Sequence, residues 1–75
     1  MGKSKSRLRF EKVASKRVQN ILNSLASLSK CSNKYNYEYT KEDVDKMIRE
    51  IKTSVSKTEA SFKGSLHDSH SRFKF

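Results

Sequence analysis

The chain has 75 residues, of which 33% are hydrophobic, with no Trp and no Pro; it makes one small domain at most, with little material for a core. Its single cysteine, Cys31, excludes a disulfide framework and fits a reducing, cytoplasmic setting, and no apolar run approaches the roughly 18 residues that a membrane span needs. Seventeen Lys and Arg against eight Asp and Glu leave a net charge of +9, which excludes an acidic nucleic-acid mimic and points to an anionic partner.

The first six residues, Met1 to Ser6, carry no large apolar side chain after the initiator and are expected to form a disordered basic tail. They contain no apolar core of a secretory signal. A first helix is expected from about Arg7 to about Lys30. Its signal is Ala14, Val18, Ile21, Leu25 and Leu28, spaced four, three, four and three, the a/d pattern of a helix that packs on helices. Phe10, Val13 and Leu22 widen that stripe. Asn20, Asn23, Ser24 and Ser27 occupy other faces; they are mediocre helix formers, so packing must supply much of the stability.

The connection runs from Cys31 to Tyr39, with Asn33 as a candidate left-handed cap. A second helix is expected over residues 41–63. Thr40 is its N-cap, Glu42 and Asp43 place negative charge in the first turn, and Thr40 and Asp43 have capping-box spacing. Tyr39 and Val44 form the hydrophobic-staple pair. The stripe recurs as Val44, Ile48, Ile51, Val55, Thr58 and Phe62. Glu42–Lys46, Asp45–Arg49 and Glu59–Lys63 are i, i+4 pairs in the favourable order. Gly64 stands where a C′ glycine ends a helix. Residues 64–75 are Ser-rich and aperiodic and are expected to be a disordered tail, from which Leu66, Phe73 and Phe75 can pack back.

The expected fold is therefore all-α: an antiparallel hairpin over residues 7–63, with tails 1–6 and 64–75. Two equal helices leave much of each stripe uncovered, so pairing into a four-helix bundle as a homodimer, or docking on a larger protein, is expected to complete the core. The interface residues are Val18, Ile21, Leu25, Leu28, Val44, Ile48, Ile51, Val55 and Phe62.

Function is legible mainly in charge. Lys3, Lys5, Arg7, Arg9, Lys12, Lys16 and Arg17 stand against Glu11 alone, a net +6 of the chain's +9 within the first 17 residues. Helix N-termini favour acidic residues, and the first helix opens with basic ones. Local stability given up in this way marks a functional segment. These seven cations are the candidate nucleic-acid-binding residues: Arg9, Lys12, Lys16 and Arg17 are expected to present a ridge to phosphates, with the Lys3–Arg7 tail as a flexible arm, in a sequence-neutral, salt-sensitive way on nucleic acid or a nucleoprotein. No helix-turn-helix, zinc-finger or RNP signature distinguishes RNA from DNA. Tyr35, Tyr37 and Tyr39 are read as covering the open end of the hairpin rather than stacking on bases.

Met1-Gly2-Lys3-Ser4-Lys5-Ser6 fits the N-myristoylation pattern and resembles the amino-terminal anchor of Src-type kinases over about seven residues, which makes a membrane-surface adaptor an alternative. His67 and His70 bracket Asp68, but structural zinc takes four ligands, so no metal and no cofactor are expected. Carboxylates lie among basic residues on a solvent face and no pocket is expected to desolvate one, so the chain is read as a non-enzyme.

The segment Ser32-Asn33-Lys34-Tyr35-Asn36-Tyr37-Glu38-Tyr39-Thr40-Lys41-Glu42-Asp43-Val44 resembles a loop of the form S-N-x-x-N-Y-E-Y-T-x-E-D-V found in a group of small uncharacterised two-helix proteins of bacterial and mobile-element genomes. The likeness covers roughly residues 10–62. It implies a two-helix fold and a bacterial or phage cytoplasm, weighs against myristoylation, and carries no activity or site residues. A phage- or mobile-element-encoded regulator or inhibitor, binding a protein through the exposed apolar face, is the other alternative.

Overall fold

The computed structural model describes residues 2–71, and side chains as far as Leu66. The described residues are helical with no strands: α1 spans Lys5–Ser29, a single 3-10 turn spans Lys30–Ser32, and α2 spans Lys41–Ser71. The chain divides into two units, Met1–Glu38 and Tyr39–Phe75.

In the first unit, α1 starts one half-turn earlier than the apolar pattern indicates. Ser4 is the reason: it is extended (φ −63°, ψ 162°) and its Oγ accepts the Arg7 N–H at 3.1 Å. One orphan donor of the first turn is thereby satisfied, and Lys5 and Ser6, expected in the tail, are helical. The Ser4 carbonyl accepts the Leu8 N–H at 3.0 Å. No acidic residue sits in this first turn. At the other end Lys30 caps α1 in a right-handed conformation and the 3-10 turn follows.

Asn33 is not the left-handed cap that its residue type suggests. Its φ is −68° and ψ 106°, and no non-glycine residue among those described has a positive φ. Its side chain makes a turn instead. Asn33 Oδ1 accepts the Tyr35 N–H at 2.9 Å, and its carbonyl accepts N–H groups of Asn36 and Tyr37 at 3.2 and 3.0 Å. An amide that bonds the backbone two residues on does the work of a turn without positive φ.

In the second unit the expected capping box is present in both directions. Thr40 Oγ1 accepts the Asp43 N–H at 3.1 Å, and Asp43 Oδ2 accepts the Thr40 N–H at 2.9 Å. Glu42 and Asp43 lie in the positive end of the helix dipole. Tyr39 and Val44, the staple pair, are both half-buried. The far end departs from expectation. Gly64 does not stop α2, which continues to Ser71. No glycine among the described residues takes a positive φ, and without that conformation glycine weakens a helix but does not end it. Leu66 is thus a helical residue, 66% exposed, one turn beyond Phe62 on the stripe. Phe73 and Phe75 lie outside the described residues.

Of the three expected ion pairs on α2, Glu59–Lys63 forms, at 3.3 Å. Asp45 pairs with Lys41 at 3.9 Å rather than with Arg49. Among the described residues no side chain is buried. The most sheltered stripe positions are Ala14 and Leu28 on α1 and Val44 and Ile51 on α2, each half-buried. The stripes stand on their helices as expected, with Ile21 57% and Val55 60% exposed.

Candidate nucleic-acid interface

An α-helix turns about 100° per residue. Counted from Lys5, Arg9, Lys12 and Lys16 return to within about 60° of one another, so four of the seven cations form a ridge on one face of α1. Ala14, Val18, Ile21, Leu25 and Leu28 cluster about 180° away. The ridge and the apolar stripe therefore lie back to back. The ridge is about 16 Å long, eleven residues at 1.5 Å each. Beyond Lys16 the same face continues in amides, with Gln19 Nε2 donating to Asn23 Oδ1 at 2.9 Å. Among the described residues Lys5, Arg9, Lys12 and Lys16 make no ion pair.

Lys3 and Arg7 belong elsewhere. Both turn to Glu11, on the stripe side of the helix. Lys3 Nζ donates to Glu11 Oε1 and Oε2 at 2.9 and 2.8 Å, and Arg7 Nε donates to Oε2 at 3.0 Å. The Arg7 guanidinium also lies over the Phe10 ring, 5.5 Å from its centroid, a cation–π distance. Hydrogen bonding from Lys3 foremost, opposed by desolvation and reinforced by the charge and hydrogen bond of Arg7, holds the Glu11 carboxyl below the usual glutamate range. Arg17 falls about 100° round from the ridge, nearer the stripe. The seven candidates are thus separated into a ridge of four, a clamp of two around Glu11, and one flanking cation.

The expected ridge changes membership: Arg9, Lys12 and Lys16 share a face, Lys5 joins them, Arg17 falls away, and Lys3 and Arg7 form a clamp on Glu11 instead of a flexible arm. Both changes had signals in the sequence. The ridge is written in the i, i+4, i+7, i+11 spacing of Lys5, Arg9, Lys12 and Lys16. The clamp is written in the i, i+4 spacing of Arg7 and Glu11, the only acid among seven bases.

No protein-family model, no curated protein and no solved structure matches this chain.

Elsewhere the described residues offer little chemistry. A shallow depression lined by Asp45, Ile48, Arg49, Lys52 and Lys57 among others lies along one face of α2 and is open to solvent. No group of three metal-ligating side chains occurs among the described residues, and the side chains of His67 and His70 lie outside them. Cys31 is exposed in the 3-10 turn. Tyr35 is fully exposed and Tyr37 half so, while Tyr39 is the half-buried member of the three. No helix among the described residues is long and apolar enough to cross a membrane.

Proposed function

We propose that this protein is a small basic helical binding and accessory module that docks electrostatically on nucleic acid or a nucleoprotein through α1. One observation carries the reading: four cations on one face, back to back with an apolar stripe. A helical partner that takes the stripe leaves the ridge facing outward, free for phosphates. A membrane that took the stripe would hold the ridge away from its headgroups, which counts against α1 lying on a lipid surface through its apolar face.

The scaffold of this reading is an antiparallel hairpin that dimerises into a four-helix bundle. The stripes support such a pairing by their spacing. Starting from Leu25 and Val44 and moving away from the connection, both run four, three, four, three. Ile21 then corresponds to Ile48, Val18 to Ile51, Ala14 to Val55 and Glu11 to Thr58. The one acidic position of the first series meets the one hydroxyl of the second, so the polar interruptions coincide. Thr58 tolerates its place because its hydroxyl donates to the Ser54 carbonyl at 2.9 Å.

The test is a binding isotherm on labelled nucleic acid at low and moderate salt. Affinity falls steeply as salt rises, and replacing Lys5, Arg9, Lys12 and Lys16 with Gln abolishes it. An isotherm indifferent to salt, or to those replacements, overturns the proposal.

A second reading is a regulator that binds a protein through α2. It is favoured by the balance of α2, whose six basic residues match six acidic ones beside the exposed Val55 and Leu66. Retention of one protein partner after nuclease treatment, lost on Ile48→Asp, would select it.

A further inference from the structure

The basic block at the start of the chain is not one surface, and its division predicts both the stoichiometry and the form of the ligand. Lys5, Arg9, Lys12 and Lys16 share a face of α1, whereas Lys3 and Arg7 are drawn to Glu11 on another, each at 3.0 Å or less. We propose that the four ridge cations alone form the phosphate-contacting rail, that the ligand is a nucleic-acid duplex, and that Glu11 withholds Lys3 and Arg7 from it. The proposal rests on the electrostatic reading of α1 given above.

Three observations on the helix support it. The rail is straight and about 16 Å long. Along the axis of a duplex, at about 3.4 Å per phosphate of each strand, that length spans roughly five phosphates of either strand, so four long cationic side chains have phosphates within the span to meet. Single-strand sites instead add aromatic side chains on which bases stack. The rail carries none: Phe10 lies on the stripe side under the Arg7 guanidinium. Tyr35 is some 20 Å or more further along the chain from Lys16, past the end of α1. Lastly, a carboxylate that already accepts from two cations competes with any phosphate for them, and Glu11 holds both in a bidentate and a single contact.

Counterion release makes the count measurable. Each phosphate neutralised on B-form DNA contributes about 0.9 to the slope of log K against log salt. Four contacts give a slope of about −4 and, between 50 and 200 mM salt, a loss of affinity of roughly a hundredfold. Seven give a slope near −6 and a loss of several thousandfold.

The experiment uses fluorescence anisotropy with the full chain, a labelled duplex of mixed sequence, and its isolated labelled strand, with helicity at 222 nm checked for every variant. The expected results are a duplex slope of about −4 and weaker binding of the single strand. Lys12→Gln reduces the slope by about one, while Lys3→Gln and Arg7→Gln leave it unchanged. Glu11→Gln releases both clamp cations and steepens the slope by up to about two, a gain that loss of folding does not mimic. A native slope of −6 or steeper, tighter binding of the single strand, or an Arg7→Gln loss equal to that of Lys12→Gln overturns the inference and leaves the electrostatic reading standing. Failure of both nucleic acids to bind at 50 mM salt removes the reading itself.

Discussion

Gly64→Ala tests the extent of α2 by the sign of its effect. In the middle of a helix, glycine is less favourable than alanine by about 0.8–1.0 kcal/mol. At a left-handed C′ position the order reverses, because a Cβ there costs roughly 1–2 kcal/mol. Gly64 has no positive φ, and an added Cβ meets nothing within 4 Å. Neither backbone strain nor a clash offsets the gain, and Ser65 to Ser71 supply close to two further turns of helix. The substitution is therefore expected to stabilise by about 0.8 kcal/mol. In a domain of this size that corresponds to a rise in melting temperature of roughly 3–6 °C. The assay is thermal unfolding followed at 222 nm at fixed protein concentration, since association shifts the midpoint. A fall in midpoint, with reduced helicity at low temperature, would refute the reasoning and place the end of the helix at residue 63.

Three further outcomes follow from local geometry. Thr40→Ala removes one bond of the capping box and leaves Asp43 without its reciprocal partner; it is expected to cost about 1 kcal/mol in urea unfolding. An unchanged midpoint would show that α2 does not depend on its cap. Ile48→Asp places a charge in the middle of the α2 stripe and is expected to abolish self-association in sedimentation equilibrium; a dimer of unaltered affinity removes that face from the interface. Acid loosens the start of α1. Because the Glu11 pKa is lowered in the folded chain, its contribution is complete above the ordinary glutamate value of about 4.3 and is lost as pH falls through the lower folded value. Amide chemical shifts of residues 5–12 are expected to move toward coil over that acid range, and Glu11→Gln to remove the movement; shifts that are flat with pH in the native chain contradict the clamp.

What was readable in this sequence was what is local and periodic. The stripes depend only on helical repeat, and the Thr40–Asp43 box on a spacing of three, so both emerge from residue types alone. Helix ends were harder because each rests on a choice that the residue type leaves open. Gly64 is free to take positive φ and does not. Asn33 has two ways to make a turn and uses its side chain. Ser4 lies in a stretch without apolar residues, where hydrophobic pattern is silent and one hydroxyl decides. The middle of the ridge, Arg9, Lys12 and Lys16, was legible and its limits were not: Lys5 is lost to a tail read as a flexible arm, and helical rotation sets Arg17 about 100° off that face and separates Lys3 and Arg7 from it. That separation needs Lys5 to be helical, which is what the Ser4 cap provides.

The placement of ridge and stripe on opposite faces of α1 bears on valency. Closing the stripe inside the proposed bundle turns the ridge outward, whichever helices complete the core. A two-fold assembly then displays two ridges, and once one is seated the other searches the same polyanion at an effective concentration set by the span between them, in the millimolar range for short separations. Duplexes too short to reach both ridges are held by one alone. On the proposed function, the strength of binding is expected to rise in a step with nucleic-acid length, the step marking the distance from ridge to ridge.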